Sequence, residues 1–106
     1  MKIIKRSGSE DIFDAAKIVA AIRKANDSVL DYEKLTADQI EEIASNVETA
    51  CENMKRSPSV EEIQDMVENQ LMDIKAHDIA RHYITYRYIQ SLKRQTNTTD
   101  ERILSL

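Results

Sequence analysis

Lys5, Arg6 and Lys17 gather around one tight turn at the start of this chain. The run Lys2-Ile3-Ile4-Lys5-Arg6 meets Ser7-Gly8, and an acidic and apolar return follows, Glu10-Asp11-Ile12-Phe13. Gly takes the positive φ that tight hairpin turns need, so two short strands joined at Ser7-Gly8 are predicted, with Lys5 and Arg6 on the first. A helix opening at Asp14 comes next, and Lys17 stands one turn inside it. Free backbone N–H groups at a helix start, flanked by Lys and Arg, favour an anion, with phosphate foremost. Each cation also has a duller reading. Charges on an edge strand block sheet-to-sheet pairing, and a lysine in a first helical turn can reach into water.

Other chemistry is poorly supported. His77 and His82 are five apart, off the i,i+4 spacing that puts two ligands on one helical face, so a zinc site is not predicted. Cys51 continues an apolar stripe and reads as a small buried hydrophobe. No Ser-His-Asp or Cys-His constellation has defensible spacing. The paired acids Glu41-Glu42 and Glu61-Glu62 read as solvated helix faces. Of the tyrosines on the last helical segment, Tyr83 reads as core, and Tyr86 or Tyr88 as a surface for a partner. Arg87 between them could stack on a ring.

Four helices must position these groups. The first, from about residue 14 to 29, carries Ile18, Val19, Ile22, Ala25 and Val29 at spacings of three and four. Thr36 with Gln39 forms a capping box that opens the second, whose stripe is Ile40, Ile43, Ala44, Val47, Cys51 and Met54. Ser59 with Glu62, after Pro58, opens the third, with Val60, Ile63, Val67, Leu71 and Ile74 on one face. The fourth, from about 77 to 94, carries Ile79, Ala80, Tyr83, Ile84 and Leu92. Short connections between four helices predict an antiparallel bundle. Two strands alone are unstable in water, so the hairpin must cap one end of it. The expected class is α+β, mainly α. From Gln95 onward the polar, β-branched run Thr96-Asn97-Thr98-Thr99-Asp100 is read as leaving the helix.

Composition agrees. With 106 residues, one Gly, one Pro and 42 % hydrophobic content, the chain fits one ordered domain with one core. A single Cys rules out an internal disulfide and suits a reducing cytoplasm. No apolar run reaches the ~18 residues of a membrane span. The net charge of −4 hides a division: residues 1–25 and 80–106 are basic, and residues 26–79 strongly acidic. That distribution opposes broad nucleic-acid binding, which needs an extended positive face, and leaves room for a local anion pocket to which both basic ends contribute.

Three segments, in order, resemble the ATP-cone domain of ribonucleotide reductases. They are Ile3-Ile4-Lys5-Arg6-Ser7-Gly8 with Ile12-Phe13-Asp14 and Lys17-Ile18; Pro58-Ser59-Val60-Glu61-Glu62-Ile63-Gln64; and Ala80-Arg81-His82-Tyr83-Ile84-Thr85-Tyr86-Arg87. The resemblance covers roughly residues 2 to 92. It implies an allosteric domain that binds ATP or dATP, with magnesium accompanying the triphosphate, and sets the overall activity of an attached enzyme. By position, Lys5 and Arg6 would meet the triphosphate and Lys17 would add a polar contact. Asp11 and Asp14 would accept hydrogen bonds near the base. Ile3, Ile18, Ile22 and Ile63 would surround the purine. Val60 and Gln64 hold the polar positions of the third helix, where Val60 cannot donate. Arg87 would close the phosphate side.

The tail Asn97-Thr98-Thr99-Asp100-Glu101 resembles the segment joining cone to catalytic barrel in the anaerobic, glycyl-radical class. The expected layout is therefore a cone over residues 1–94, then a linker over 95–106 toward the catalytic domain of the same parent protein, with cone-to-cone self-association as a further contact. No turnover is expected of the chain itself. The competing readings are a helical module whose basic hairpin meets an acidic protein, and the cone of a reductase transcriptional regulator.

Overall fold

The computed structural model describes residues 1–104, with side chains as far as Lys93. Two antiparallel strands, β1 (Lys2–Ile4) and β2 (Glu10–Ile12), pair Lys2 with Ile12, Ile3 with Asp11 and Ile4 with Glu10. Four helices follow: α1 (Ala15–Asp27), α2 (Ala37–Glu52), α3 (Val60–Asp73) and α4 (His77–Leu104). A short 3-10 turn, Asp31–Glu33, which the sequence pattern did not announce, lies between α1 and α2. Consecutive helices pack on one another and α4 packs on α1, closing the four-helix bundle.

Its centre is filled by the stripes read from the sequence. Ile18, Ile22 and Ala25 of α1 meet Ile40, Ile43 and Val47 of α2, Val67 and Leu71 of α3, and Ile79, Ala80 and Tyr83 of α4. Ile22 and Leu71 are fully buried, and truncating such a side chain costs about 2–5 kcal/mol. Cys51 is buried among them. Asn26 is the buried polar residue among the described side chains. Its amide donates to the Leu35 carbonyl at 3.1 Å and accepts from the Leu35 N–H at 2.8 Å. Both polar ends are thus satisfied, and the α1–α2 connection is clamped to the core.

Both predicted capping boxes form, at Thr36 with Gln39 and at Ser59 with Glu62. The hairpin is stitched to the second of these: the Ile4 N–H donates to the Pro58 carbonyl at 2.9 Å, and Ile4 bridges to Ser59. Ile3 and Phe13 pack against the core beneath it. The hairpin therefore caps the bundle where α1 and α3 begin.

Three expectations need correction. Lys5 and Arg6 are past the end of β1, in the turn itself. The Gly8 N–H donates to the Lys5 carbonyl at 2.9 Å, the Lys5 N–H donates to Ser9 at 2.8 Å, and Gly8 holds φ +88°. This is a three-residue loop with a glycine bulge, one residue longer than a two-residue turn at Ser7-Gly8. Helix α4 does not end at 94 but continues to Leu104. Thr and Asn only weaken a helix by fractions of a kcal/mol each, and no Gly or Pro between Gln95 and Leu104 stops it. The side chains of the tail lie outside the described residues. Finally, Ile74 does not extend the buried face of α3; it is the C-cap, and it is exposed.

Candidate functional site

A cavity of about 910 Å³ opens where the hairpin, α1, α3 and α4 meet. That is within the ~300–1,000 Å³ of small-molecule sites, and its mixture of apolar wall and few charges is typical of them. Ile3 and Phe13 come from the hairpin side, Ile18 from α1, and Val60 and Ile63 from α3. Four cations line it (Lys5, Arg6, Lys17 and Lys24) against two carboxylates, Asp11 and Asp14.

The turn places Lys5 and Arg6 at its rim. Lys5 Nζ is 3.5 Å from the Asp11 carboxylate, and Lys17 Nζ 4.0 Å from the same group. The Asp11 carboxyl is held below the usual carboxylate range, first by the Ile12 N–H donating to it and then by Lys5. Arg6 turns toward the helices. Its Nε donates to Glu61 Oε1 at 3.0 Å, and an Nη donates to the Ser91 hydroxyl. Glu61 is correspondingly acidic, through its own backbone N–H first and Arg6 second.

Asp14 is the N-cap of α1, and its carboxylate accepts from the Ala16 N–H at 3.0 Å. The Lys17 N–H goes to the Asp14 carbonyl at 3.1 Å. The Ala16 and Lys17 amides are therefore satisfied from within, which leaves the side-chain cations as the main source of anion affinity here. From α3, Gln64 Oε1 is buried without a hydrogen-bond partner. A buried acceptor left unpaired costs about 1–3 kcal/mol, and a ligand N–H or O–H would remove that cost.

Ten of the twelve positions singled out in the sequence meet at this cavity: Ile3, Lys5, Arg6, Asp11, Asp14, Lys17, Ile18, Val60, Ile63 and Gln64. Two do not line it. Ile22 has no exposed surface and belongs to the core. Arg87 sits between Asp65 at 3.1 Å and Glu68 at 2.6 Å, joining α4 to α3. The two carboxylates outweigh burial and hold its guanidinium above its ordinary basicity. Glu61 and Glu62 are likewise not idle solvated acids: Glu62 closes the α3 cap and takes a two-pronged grip from Arg56, at 2.7 and 2.6 Å.

Residues that the sequence did not single out as site residues also reach the cavity. Lys24 stands two turns beyond Lys17 on α1, and Tyr83 and Tyr86 come from α4. Tyr83, 5 % exposed, is core as expected, and burial pushes its hydroxyl pKa up to about 12. Lys24 Nζ lies 5.0 Å from the centre of the Tyr86 ring. The i, i+7 spacing of Lys17 and Lys24 was the available signal for a shared face. No cluster of three His, Cys, Asp or Glu is present among the described residues. No described helix is long and apolar enough to cross a membrane.

Comparison with known proteins is consistent in its direction. The family described as ATP cone domain matches residues 1–92. The chain is 30 % identical over 108 residues to the alpha subunit of a ribonucleoside-diphosphate reductase of Chlamydia trachomatis, covering 94 % of this chain and 10 % of that protein. It is 32 % identical over 94 residues to the anaerobic ribonucleoside-triphosphate reductase of Haemophilus influenzae, covering 88 % and 13 % respectively. It is also 32 % identical over 96 residues to the transcriptional repressor NrdR of Petrotoga mobilis, covering 87 % and 59 %. The chain thus spans about a tenth of the length of the reductases it matches.

Proposed function

The chain belongs to the ATP-cone family, and from that premise we propose that it is an allosteric domain that binds ATP and dATP in the cavity beneath its hairpin. One observation carries the reading: a single cavity joins an apolar wall of Ile3, Ile18 and Ile63 to the cations Lys5, Arg6 and Lys17. That pairing suits a flat apolar base attached to a polyanion. The base lies against the isoleucines, with Asp11, Asp14 and the unpaired Gln64 oxygen as acceptors for its amino group or the ribose hydroxyls. The phosphates take the cations, and Arg6 exchanges Glu61 for a phosphate oxygen.

Allostery follows from what surrounds the ligand. A nucleotide there touches the hairpin and three helices at once, so a small difference in contact changes how they pack. A coupling of ~1–3 kcal/mol to a second site is enough for a useful switch. The effect is delivered to a parent protein, for which α4 is the direct connection. The outward stripe Ile84, Tyr88 and Leu92, at i, i+4 and i+8 on α4, is exposed and is assigned to contact with that parent. Self-association of cones is the alternative use of the same stripe, and sedimentation of the chain at rising concentration separates the two.

The parent is proposed to be an anaerobic ribonucleoside-triphosphate reductase, on the resemblance of the tail beyond Gln95 to that class. The similarity to a diphosphate reductase and to a repressor makes the reading frame flanking this chain the decisive check. A catalytic barrel after it supports a reductase, and a cysteine-rich zinc ribbon before it supports a repressor. For the domain itself, calorimetric titration with ATP, dATP and GTP is the test. Micromolar binding that prefers adenine supports the reading. Heat from neither ATP nor dATP, with no thermal shift, overturns it in favour of a protein-interaction module.

A further inference from the structure

Lys24 stands apart from the other cations of the cavity. Lys5 and Lys17 share Asp11, and Arg6 has Glu61, whereas Lys24 makes no ion pair among the described residues. Its ammonium lies over the ring of Tyr86, 5.0 Å from the centroid. A ring face occupies one side of an ammonium and leaves N–H donors on the other. The contact also holds a long side chain in place, so less ordering entropy is lost when an anion binds.

The placement of Lys24 is matched by its neighbours. Lys17, Ala20, Ala21 and Lys24 all line the cavity, at the i, i+3, i+4, i+7 spacing of one helical face. Two lysines about 10 Å apart along α1 therefore flank a floor of small side chains. Across the cavity, Arg6 bonds Ser91 and Lys24 covers Tyr86, so these two cations meet α4 five residues apart, about 7.5 Å of rise.

We propose that Lys24, steadied by Tyr86, is a phosphate-binding residue of this cavity that makes affinity depend on how many phosphates the nucleotide carries. The proposal rests on the nucleotide-binding reading above. It gives the cavity a second cation against α4, about one and a half turns along that helix from the Arg6 contact, so that a phosphate chain meets cations at more than one point along its length. Lys24 also lies in the last turn of α1, where a cation complements the helix dipole. That role affects stability and leaves no trace in nucleotide preference, so the two are separable.

The test is calorimetric titration of the full chain with AMP, ADP, ATP and inorganic tripolyphosphate, using wild type, Lys24→Gln and Lys24→Arg. Lys24 is exposed, and a thermal melt checks that each variant folds. The expected result is an ATP-to-AMP affinity ratio lowered about threefold to tenfold in Lys24→Gln and kept in Lys24→Arg. Tripolyphosphate binding should fall in parallel. ATP binding by wild type with the same ATP-to-AMP ratio in Lys24→Gln overturns the proposal alone. A wild-type chain that binds neither ATP nor tripolyphosphate overturns the nucleotide reading beneath it.

Discussion

Arg6 is engaged before any ligand arrives, by Glu61 at 3.0 Å and by Ser91. In the proposed site a phosphate would compete with that carboxylate for one guanidinium. Exposed pairs of this kind are worth about 0.2–1 kcal/mol, so Glu61→Gln should raise ATP affinity by a few fold. Arg6→Ala removes the charge-assisted bond itself and should lower affinity about tenfold. Titration of both variants checks this, and weaker binding in Glu61→Gln would show that Glu61 supports the ligand instead of competing with it. At this scale the motif residues were legible because they are close in sequence or share a helical face. Lys24 with Tyr86 was not, because their meeting depends on the rotation of α4 against α1. Arg87, named from the resemblance alone, is held instead by Asp65 and Glu68 of α3, a pairing across two helices that sequence does not display.

The elements are governed by their ends. At the close of α3, Ile74 is the C-cap and Lys75 adopts φ +63°. The Ala76 N–H reaches back to the Leu71 carbonyl and the Lys75 N–H to Met72, both at 2.9 Å, completing a Schellman turn on a residue that is not glycine. Lys75→Gly should therefore stabilise the domain by about 0.5–1 kcal/mol, relieving a left-handed lysine at some cost in chain entropy. Urea unfolding measures it, and an unchanged or lower midpoint contradicts it.

The opening of α3 carries a pH dependence. Arg56 first, and the Ser59 N–H second, bring the Glu62 carboxyl down to about 2 from its ordinary 4.5. A depressed folded-state pKa stabilises above the unfolded value and is lost as pH falls through the folded one. Glu62 should contribute stability fully above pH 4.5 and lose it toward pH 2. Glu62→Gln should flatten the fall in melting temperature across that window, and an equally steep fall would remove Glu62 from the account. Both capping boxes were legible because their two partners are three residues apart. The length of α4 was not, because weak helix formers without a Gly or Pro leave the decision to the preceding turns.

As a whole, the described residues form a four-helix bundle capped at one end by a hairpin. Its core could be read from periodicity, and the cap from the marginal stability of two lone strands. The cavity could be read only as a list of residues, since its shape depends on β1 bonding to Pro58 and on α4 packing against α1. A nucleotide bound there, as proposed, would join segments about 80 residues apart. Binding only the folded state adds ~2.7 kcal/mol at a hundredfold excess over Kd. The most direct test is amide hydrogen exchange with and without saturating ATP. Slower exchange is expected together in residues 2–6 and in 83–89, where Tyr83 and Tyr86 line the cavity, with the outer face of α2 around Glu41 and Glu48 unaffected. ATP that binds yet leaves both the hairpin and residues 83–89 exchanging at their free rates would place the nucleotide elsewhere and contradict this site.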